Sequence, residues 1–323
     1  MRAVVYDRYG QPEDVLRLEE IDRPSIGEHD VLVRVRAASV NSWDCDNLLG
    51  RPLLTRAGWG LRRPKRRVLG ADIAGNVVAV GRAVTRFHPG DPVFGDLSAS
   101  GWGGFAEFVS AHEDALERKP AELGFEQAAA IPQAGVMALQ AVGPAGGATG
   151  RRALVNGAGG GVGTFAIQLL RASGARVTGV DSTAKLDLMR SLGAENVLDY
   201  TRENLADREE RFDLIIDVIA RRSMLDYRRL LAPGGRYVMI GGATSRIAQV
   251  LLIGAWEALS RSGRSMGLLV HRPNQDLDRL GALAAEGTIV PVIGATFELA
   301  DVARAMRLVI DGRALGKVVV TVD

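Results

Sequence analysis

The chain has 323 residues, enough for one or two hydrophobic cores, with hydrophobic residues at 47% and charged residues at 24%. Lys and Arg number 40 against 38 Asp and Glu, so the net charge of +2 gives no global pull toward nucleic acid or an anionic membrane. A single cysteine, Cys45, excludes an internal disulfide framework and any metal site built on several cysteines. No charged and apolar leader opens the chain and no apolar run is long enough to span a bilayer, so a cytoplasmic protein is expected.

Residues 1–120 read as β-rich. Strand-length apolar stretches at 3–6, 31–40, 73–80 and 105–109 are separated by turn clusters such as Pro24-Ser25-Ile26-Gly27 and His88-Pro89-Gly90-Asp91. After Leu123 the rhythm changes to alternating strands and helices. A strand at 153–156 leads through a glycine cluster to a helix at 162–172, with Gly174 at the C-cap. Strand 176–180, helix 185–192 closed by Gly193 and a short strand at 197–198 follow. Then come strand 214–219, helix 223–231, a turn at Pro233-Gly234-Gly235 and strand 236–240. Such alternation indicates βαβ units and a parallel, doubly wound sheet. A helix at 276–286, strands near 290–297 and 317–322 and a helix at 299–310 complete the chain.

The most informative segment is Val155-Asn156-Gly157-Ala158-Gly159-Gly160-Gly161-Val162-Gly163. A dinucleotide-binding turn needs residues without bulk at three places: the tight turn, the approach of backbone to pyrophosphate, and the helix–strand contact. Ala158-x-Gly160-x-x-Gly163 and Gly157-x-x-Gly160-x-x-Gly163 both supply that spacing, between a strand and a helix. The phosphates would meet free backbone N–H groups and the positive end of the helix dipole. The next strand ends in Asp181, 18 residues past Gly163, near the spacing at which a carboxylate holds the adenosine ribose.

Other segments extend the pattern along the chain. They include Val40-Asn41-Ser42-Trp43-Asp44, Leu69-Gly70-Ala71-Asp72-Ile73-Ala74-Gly75, Phe87-His88-Pro89-Gly90-Asp91-Pro92-Val93-Phe94-Gly95 and Gly104-Phe105-Ala106-Glu107. Ala128-Ala129-Ala130-Ile131-Pro132, Ser191-Leu192-Gly193-Ala194-Glu195 and Gly316-Lys317-Val318-Val319-Val320 continue it. In these the chain resembles the medium-chain dehydrogenase/reductase superfamily, nearest its quinone-oxidoreductase-like, zinc-lacking branch. The resemblance implies a β-rich, GroES-like catalytic domain from residues 1–122 and 288–323. It also implies an inserted Rossmann domain over 123–287, an active site in the cleft between them, and frequent pairing of relatives as homodimers through the nucleotide domain.

The zinc-binding branch of that family carries an early Cys, a His-Glu pair after Leu-Gly, and a further ligand ahead of the nucleotide domain. Here Ala71-Asp72 stands at the His-Glu position, Cys45 is displaced from its place, and Pro132-Gln133-Ala134-Gly135 offers no ligand. Catalytic zinc needs three protein ligands, so no metal is expected. Zinc polarises an alcohol or carbonyl oxygen. Without it, hydride addition to a quinone or α,β-unsaturated carbonyl is the expected chemistry, because the negative charge delocalises. A small molecule is therefore the expected partner.

Within the catalytic domain the resemblance places Asn41 beside nicotinamide and substrate, as an amide donor or simply a turn residue. Asp44 is a candidate proton donor or orienting group, with a solvated acid at a helix start as the plainer reading. Trp43, Trp59 and Trp102 are candidates to line a flat acceptor pocket or to pack in the core. Met137 stands where many members have a Thr that reaches the nicotinamide, which removes a donor.

In the nucleotide domain the candidates are Gly157, Gly160, Gly161, Val162, Gly163, Asp181, Ser182, Thr183, Lys185, Tyr200, Val218, Ile219, Gly241 and Leu269. Asp181 argues for NADH, because a carboxylate repels a 2′-phosphate. Ser182, Thr183 and Lys185 are the kind of residues that grip one, and with Asp181 turned away and neutralised by Lys185 the preference falls to NADPH. The basic run Arg62-Arg63-Pro64-Lys65-Arg66-Arg67 reads as a solvated loop. Two rival functions stand beside the reductase: a metal-free carbonyl or alcohol dehydrogenase, and a nucleotide-sensing or RNA-binding protein without turnover.

Overall fold

Runs of β-branched residues bounded by glycine and proline form the strands, and the apolar alternation decides which face each one buries. The structure is a computed structural model and describes residues 1–53, 56–143, 149–260 and 262–323. It forms two compact units. The first comprises Met1–Val136, Arg272–Gly287 and Pro291–Asp323, and the second Met137–His271 with Thr288–Val290.

In chain order the strands are β1 (Arg2–Val5), β2 (Arg17–Glu20), β3 (Asp30–Val40), β4 (Asp72–Val80), β5 (Pro92–Asp96), β6 (Phe108–His112) and β7 (Glu117–Arg118). They continue with β8 (Arg152–Asn156), β9 (Arg176–Asp181), β10 (Asn196–Asp199), β11 (Phe212–Asp217), β12 (Leu231–Met239), β13 (Ser265–Leu268), β14 (Ile293–Glu298) and β15 (Lys317–Thr321). The helices used below are α1 (Ser42–Leu49), α2 (Pro132–Val142), α3 (Gly161–Ala172), α4 (Leu186–Ser191), α5 (Met224–Leu230), α6 (Thr244–Leu259), α7 (Leu277–Ala285) and α8 (Val302–Ile310).

In the first unit β1 and β2 form an antiparallel pair, and the main sheet runs β14-β15-β3-β4-β5-β7 with β6 also paired to β3. Val33, Val35, Ile73, Leu116, Met306, Val318 and Val320 belong to its core. Two registers matter for the site. Antiparallel pairing sets Val318 opposite Val40, and Ser39 opposite Asp72, so Asp72 and Lys317 arrive from both flanks beside the end of β3.

The second unit holds a six-stranded parallel sheet in the order β10-β9-β8-β11-β12-β13. This is the doubly wound dinucleotide-binding order, with the switch in direction between β8 and β11. Gly174 (φ +80°) and Gly193 (φ +101°) follow α3 and α4 in the left-handed conformation that closes a helix.

Several elements differ from the pattern-based expectation. The stretch 105–109 begins as isolated backbone bonds, Phe105 N–H to Leu69 and Val4 N–H to Phe105, before β6 starts. Pro233-Gly234-Gly235 is not a turn ahead of the strand: β12 already begins at Leu231, and these residues bulge out within it, where the register to β11 slips between Leu231 and Arg236. Segment 243–266, whose course the sequence leaves open, contains α6 and leads into the edge strand β13. No helix among the described residues is long and apolar enough to cross a membrane.

Candidate active site and nucleotide-binding edge

Parallel pairing brings the carboxyl ends of β8, β9, β10, β11 and β12 to one edge of the second unit, with Asp217 opposite both Asn156 and Met239, and Asp199 opposite Asp181. Gly157–Gly163, Asp181–Lys185, Tyr200, Val218–Ile219 and Gly241 all lie at those ends or just beyond them, Asp181 as the last residue of β9 and Gly161–Gly163 as the first turn of α3. Gly157 adopts φ +82°, and a Cβ there would meet Ile219 Cγ1 at 2.7 Å. At Gly163 a Cβ would lie 2.2 Å from the Gly157 carbonyl oxygen and 2.5 Å from the Ala158 Cα, so the start of α3 packs directly on the turn. Gly160, the N-cap of α3, has φ −90° and meets nothing nearer than the Gly157 oxygen at 3.4 Å. Two glycines thus shape the turn and one leaves it open, the cradle a pyrophosphate requires.

Asp181 does not project freely from β9. Its Oδ2 accepts from Gly159 N–H at 3.0 Å, its Oδ1 accepts from Ser182 N–H at 2.9 Å, and the Lys185 ammonium lies 3.6 Å away. Both side chains are more than nine-tenths buried, and the Lys185 stem crosses Gly159, where a Cβ would come within 2.6 Å of it. Thr183 departs from its expected role, because its hydroxyl donates to buried Asp199, which also accepts from the Thr201 hydroxyl and N–H. These bonds hold the Asp199 carboxyl below its usual range. Tyr200 follows β10, donates its N–H to the Asp181 carbonyl and is half exposed. Leu269 spends its N–H on the Met239 carbonyl, so that N–H is not available to a carboxamide. Met137 is half-buried on α2.

Beneath this edge lies a network that sequence reasoning missed. Asp217, fully buried, accepts from Asn156 Nδ2 at 2.7 Å, Tyr237 Oη at 2.8 Å and the N–H groups of Ala220 and Ile219. Asn156 also donates to Tyr227 Oη at 3.0 Å. Burial beside this carboxylate pushes both phenols upward in pKa. The carboxylate therefore fixes the Val218–Ala220 turn, in which Ala220 takes φ +46°.

In the first unit Asn41 sits at the N-cap of α1 and is buried. Its Nδ2 donates to Asp72 Oδ2 at 2.9 Å, and its Oδ1 accepts from Lys317 Nζ at 2.5 Å. Lys317 also lies 3.3 Å from Asp72 Oδ2, Ser39 Oγ donates to the same oxygen at 3.0 Å, and Gln133 N–H donates to Asp72 Oδ1 at 3.0 Å. Burial pushes the Asp72 carboxyl up in pKa, against the pull of the Lys317 ammonium.

Asp44 opens α1 as an acid at the helix start but is buried rather than solvated. Its oxygens accept from Asn41 N–H at 2.8 Å and Gly70 N–H at 3.0 Å, and burial pushes its carboxyl up to about 7. Trp43 and Trp59 stand edge-on to buried Trp102, at 6.0 and 5.0 Å between ring centres. In the basic run, Arg66 lies over the Trp59 ring and Arg67 pairs with Glu19 at 3.1 Å.

Comparison with known proteins agrees with this geometry. The family model described as "Alcohol dehydrogenase GroES-like domain" matches residues 27–121, and the one described as "Zinc-binding dehydrogenase" matches residues 192–320. "Quinone-oxidoreductase QR1, chloroplastic" of Triphysaria versicolor is 33% identical over 99% of this chain and 98% of its own length. "NADPH-dependent alkenal/one oxidoreductase, chloroplastic" of Arabidopsis thaliana is 32% identical over 99% of this chain and 79% of its own length. The solved quinone oxidoreductase from Coxiella burnetii superposes with a TM-score of 0.90 at 29% identity, over 100% of this chain and 99% of that one. The chain belongs to the medium-chain dehydrogenase/reductase superfamily, in its quinone-oxidoreductase-like branch.

As a medium-chain dehydrogenase/reductase, the protein is an oxidoreductase, and the family description that mentions zinc can be tested against its side chains. They do not fit a zinc ion. Cys45 is buried, with its Sγ against the Met306 carbonyl at 3.8 Å, and the Asp72 carboxylate is committed to Lys317, Asn41, Ser39 and Gln133. Among the described residues no three His, Cys, Asp or Glu side chains are grouped as metal ligands.

Proposed function

We propose that the protein is a zinc-independent reductase that uses NADPH to reduce a quinone or an α,β-unsaturated carbonyl compound. The observation that carries this reading is the commitment of Asp72, the one ligand-type side chain of the Ala71-Asp72 pair that stands at the His-Glu position of the zinc-binding branch, to the Lys317 ammonium and the Asn41 amide. The coenzyme supplies hydride from C4 of its reduced nicotinamide. With no Lewis acid to polarise a simple carbonyl, an acceptor that spreads the charge by conjugation suits the site.

The glycine turn would hold the pyrophosphate, and Val218, Ile219 and Gly241 would border the rest of the dinucleotide. The preference for NADPH rests on Asp181, which is turned toward Gly159 and Ser182 N–H and neutralised by Lys185. Lys185 and the Ser182 hydroxyl would meet the 2′-phosphate. Asn41 would donate to the acceptor oxygen, while Asp44 caps α1 and leaves the proton to solvent. A single buried cysteine suits a reducing compartment such as the cytoplasm.

The test pairs each enone with its saturated ketone. Reduction of the enone at C=C with the saturated ketone inert is expected. Reduction of the saturated ketone at comparable kcat/KM would instead establish the carbonyl-dehydrogenase alternative.

A further inference from the structure

Asn41 is a carboxamide gripped at both ends. Ammonium only donates and carboxylate only accepts, so the orientation is set by chemistry: Oδ1 faces Lys317 and Nδ2 faces Asp72. The grip is deep in the first unit, because Lys317 is 2% and Asp72 0% exposed. Both charged side chains are themselves braced: Asp72 by Ser39 and the Gln133 N–H at the start of α2, and Lys317 by its place at the head of β15. The single oxygen of Asn41 is therefore taken, and so is one of its two amide hydrogens. Among the described residues the second hydrogen has no partner.

We infer that Lys317 and Asp72 are positioning residues that lock Asn41 as a one-way donor, so that its remaining N–H is held ready for an oxygen that gains negative charge in the reaction, a carbonyl or quinone oxygen. An unlocked Asn can flip and offer its own oxygen to a hydroxyl. A locked one offers only N–H, and a cation on its oxygen draws electron density from that N–H and strengthens it as a donor. Negative charge accumulates on the acceptor oxygen as hydride arrives at the conjugated carbon, so the lock acts on kcat more than on binding. This inference rests on the proposed reductase function, which places the acceptor oxygen at Asn41.

Three variants test it: Lys317→Met with Asp72→Asn in one chain, Asn41→Ala, and all three changes together. Removing both charges of a buried pair with groups of similar size is often neutral for folding, unlike removing one. With the lock removed, kcat for a quinone should fall about tenfold or more while KM and coenzyme Kd move little, in keeping with losses of up to about a hundredfold for slight misplacement. The triple variant should be no slower than Asn41→Ala, because the pair acts only through Asn41. A double variant with wild-type kcat, or a triple variant whose losses multiply, overturns the inference.

A measurement on the unaltered protein stands apart from turnover and from variant folding. With asparagine labelled by 15N, the Asn41 side-chain amide should exchange with solvent at least about tenfold more slowly than that of exposed Asn196 on β10, as hydrogen-bonded buried groups do. Equal exchange rates overturn the lock. If the wild type reduces no acceptor, the proposed function falls, while slow exchange still establishes the lock.

Discussion

Substituting alanine at two glycines of one turn should separate folding from coenzyme binding. At Gly163 the new Cβ would lie 2.2 Å from the Gly157 oxygen and 2.7 Å from the Ala158 carbonyl carbon, so backbone must open by about an ångström to reach ordinary contact. Overpacking of this kind costs roughly 1–3 kcal/mol. Replacing a helical glycine returns at most about 1 kcal/mol. Because backbone rather than a flexible side chain stands in the way, the upper part of that range applies; the net loss is then about 1–2 kcal/mol, or roughly 1.5–3 °C in Tm at about 2.1 cal/mol/K per residue for a chain of this size. At Gly160 the Cβ meets only the Gly157 oxygen at 3.4 Å with φ at −90°, so stability should stay within about 0.5 kcal/mol of the wild type. On the proposed coenzyme placement that Cβ fills the space the pyrophosphate would approach, so the NADPH Kd should rise at least about tenfold, equivalent to roughly 1.4 kcal/mol. Urea unfolding and fluorescence titration with NADPH read the two effects separately. If Gly160→Ala binds NADPH within twofold of the wild type, the phosphate is not held at this turn. An undiminished stability of Gly163→Ala would refute the packing.

Other perturbations address single interactions. Lys185→Met leaves Asp181 unneutralised at the turn, so kcat/KM for NADPH should fall about tenfold relative to that for NADH; an unchanged ratio would remove Lys185 from coenzyme choice. Tyr237→Phe deprives buried Asp217 of a donor and should cost about 1–3 kcal/mol in urea unfolding, whereas a change below about 0.5 kcal/mol would mean that the carboxylate does not depend on it. Asp44 titrates near 7 in the folded chain against 3.8 as its ordinary value, so the stability it contributes is full below about pH 4 and is lost as pH rises through 7. Between those limits the wild type should lose up to about 1.4 kcal/mol per pH unit relative to Asp44→Asn. Parallel stability curves for the two proteins would contradict the burial of this carboxyl.

Local pattern carried most of the second unit. The Gly157–Gly163 turn, the acid ending β9 and the glycines after α3 and α4 are short-range signals, and the alternating apolar runs required a parallel sheet. Helix α6 was illegible because its apolar residues do not form one buried stripe: Leu251, Leu252, Trp256 and Leu259 are exposed, and only Val250 and Glu257 are buried. The turn expected at 233–235 and the bulge observed there have the same residues; only pairing across β11 and β12 tells them apart.

In the catalytic half, Asn41 and Asp44 were nameable from the motif that holds them, but their partners were not. Lys317 lies 276 positions from Asn41, and Asp72 reaches it through strand register alone. Asp217 likewise reads in sequence as one residue inside the buried strand at 214–219, with nothing to announce Tyr237 and Asn156, which donate to it.

The most direct measurement is oxidation of NADPH and of NADH at the nicotinamide absorbance band, against a panel of quinones and enones with EDTA present. Turnover with NADPH that persists in chelator is the predicted result, with NADH slower. Activity that chelator abolishes and zinc restores, or consumption of neither coenzyme with any acceptor despite demonstrable coenzyme binding, would contradict a metal-free reductase.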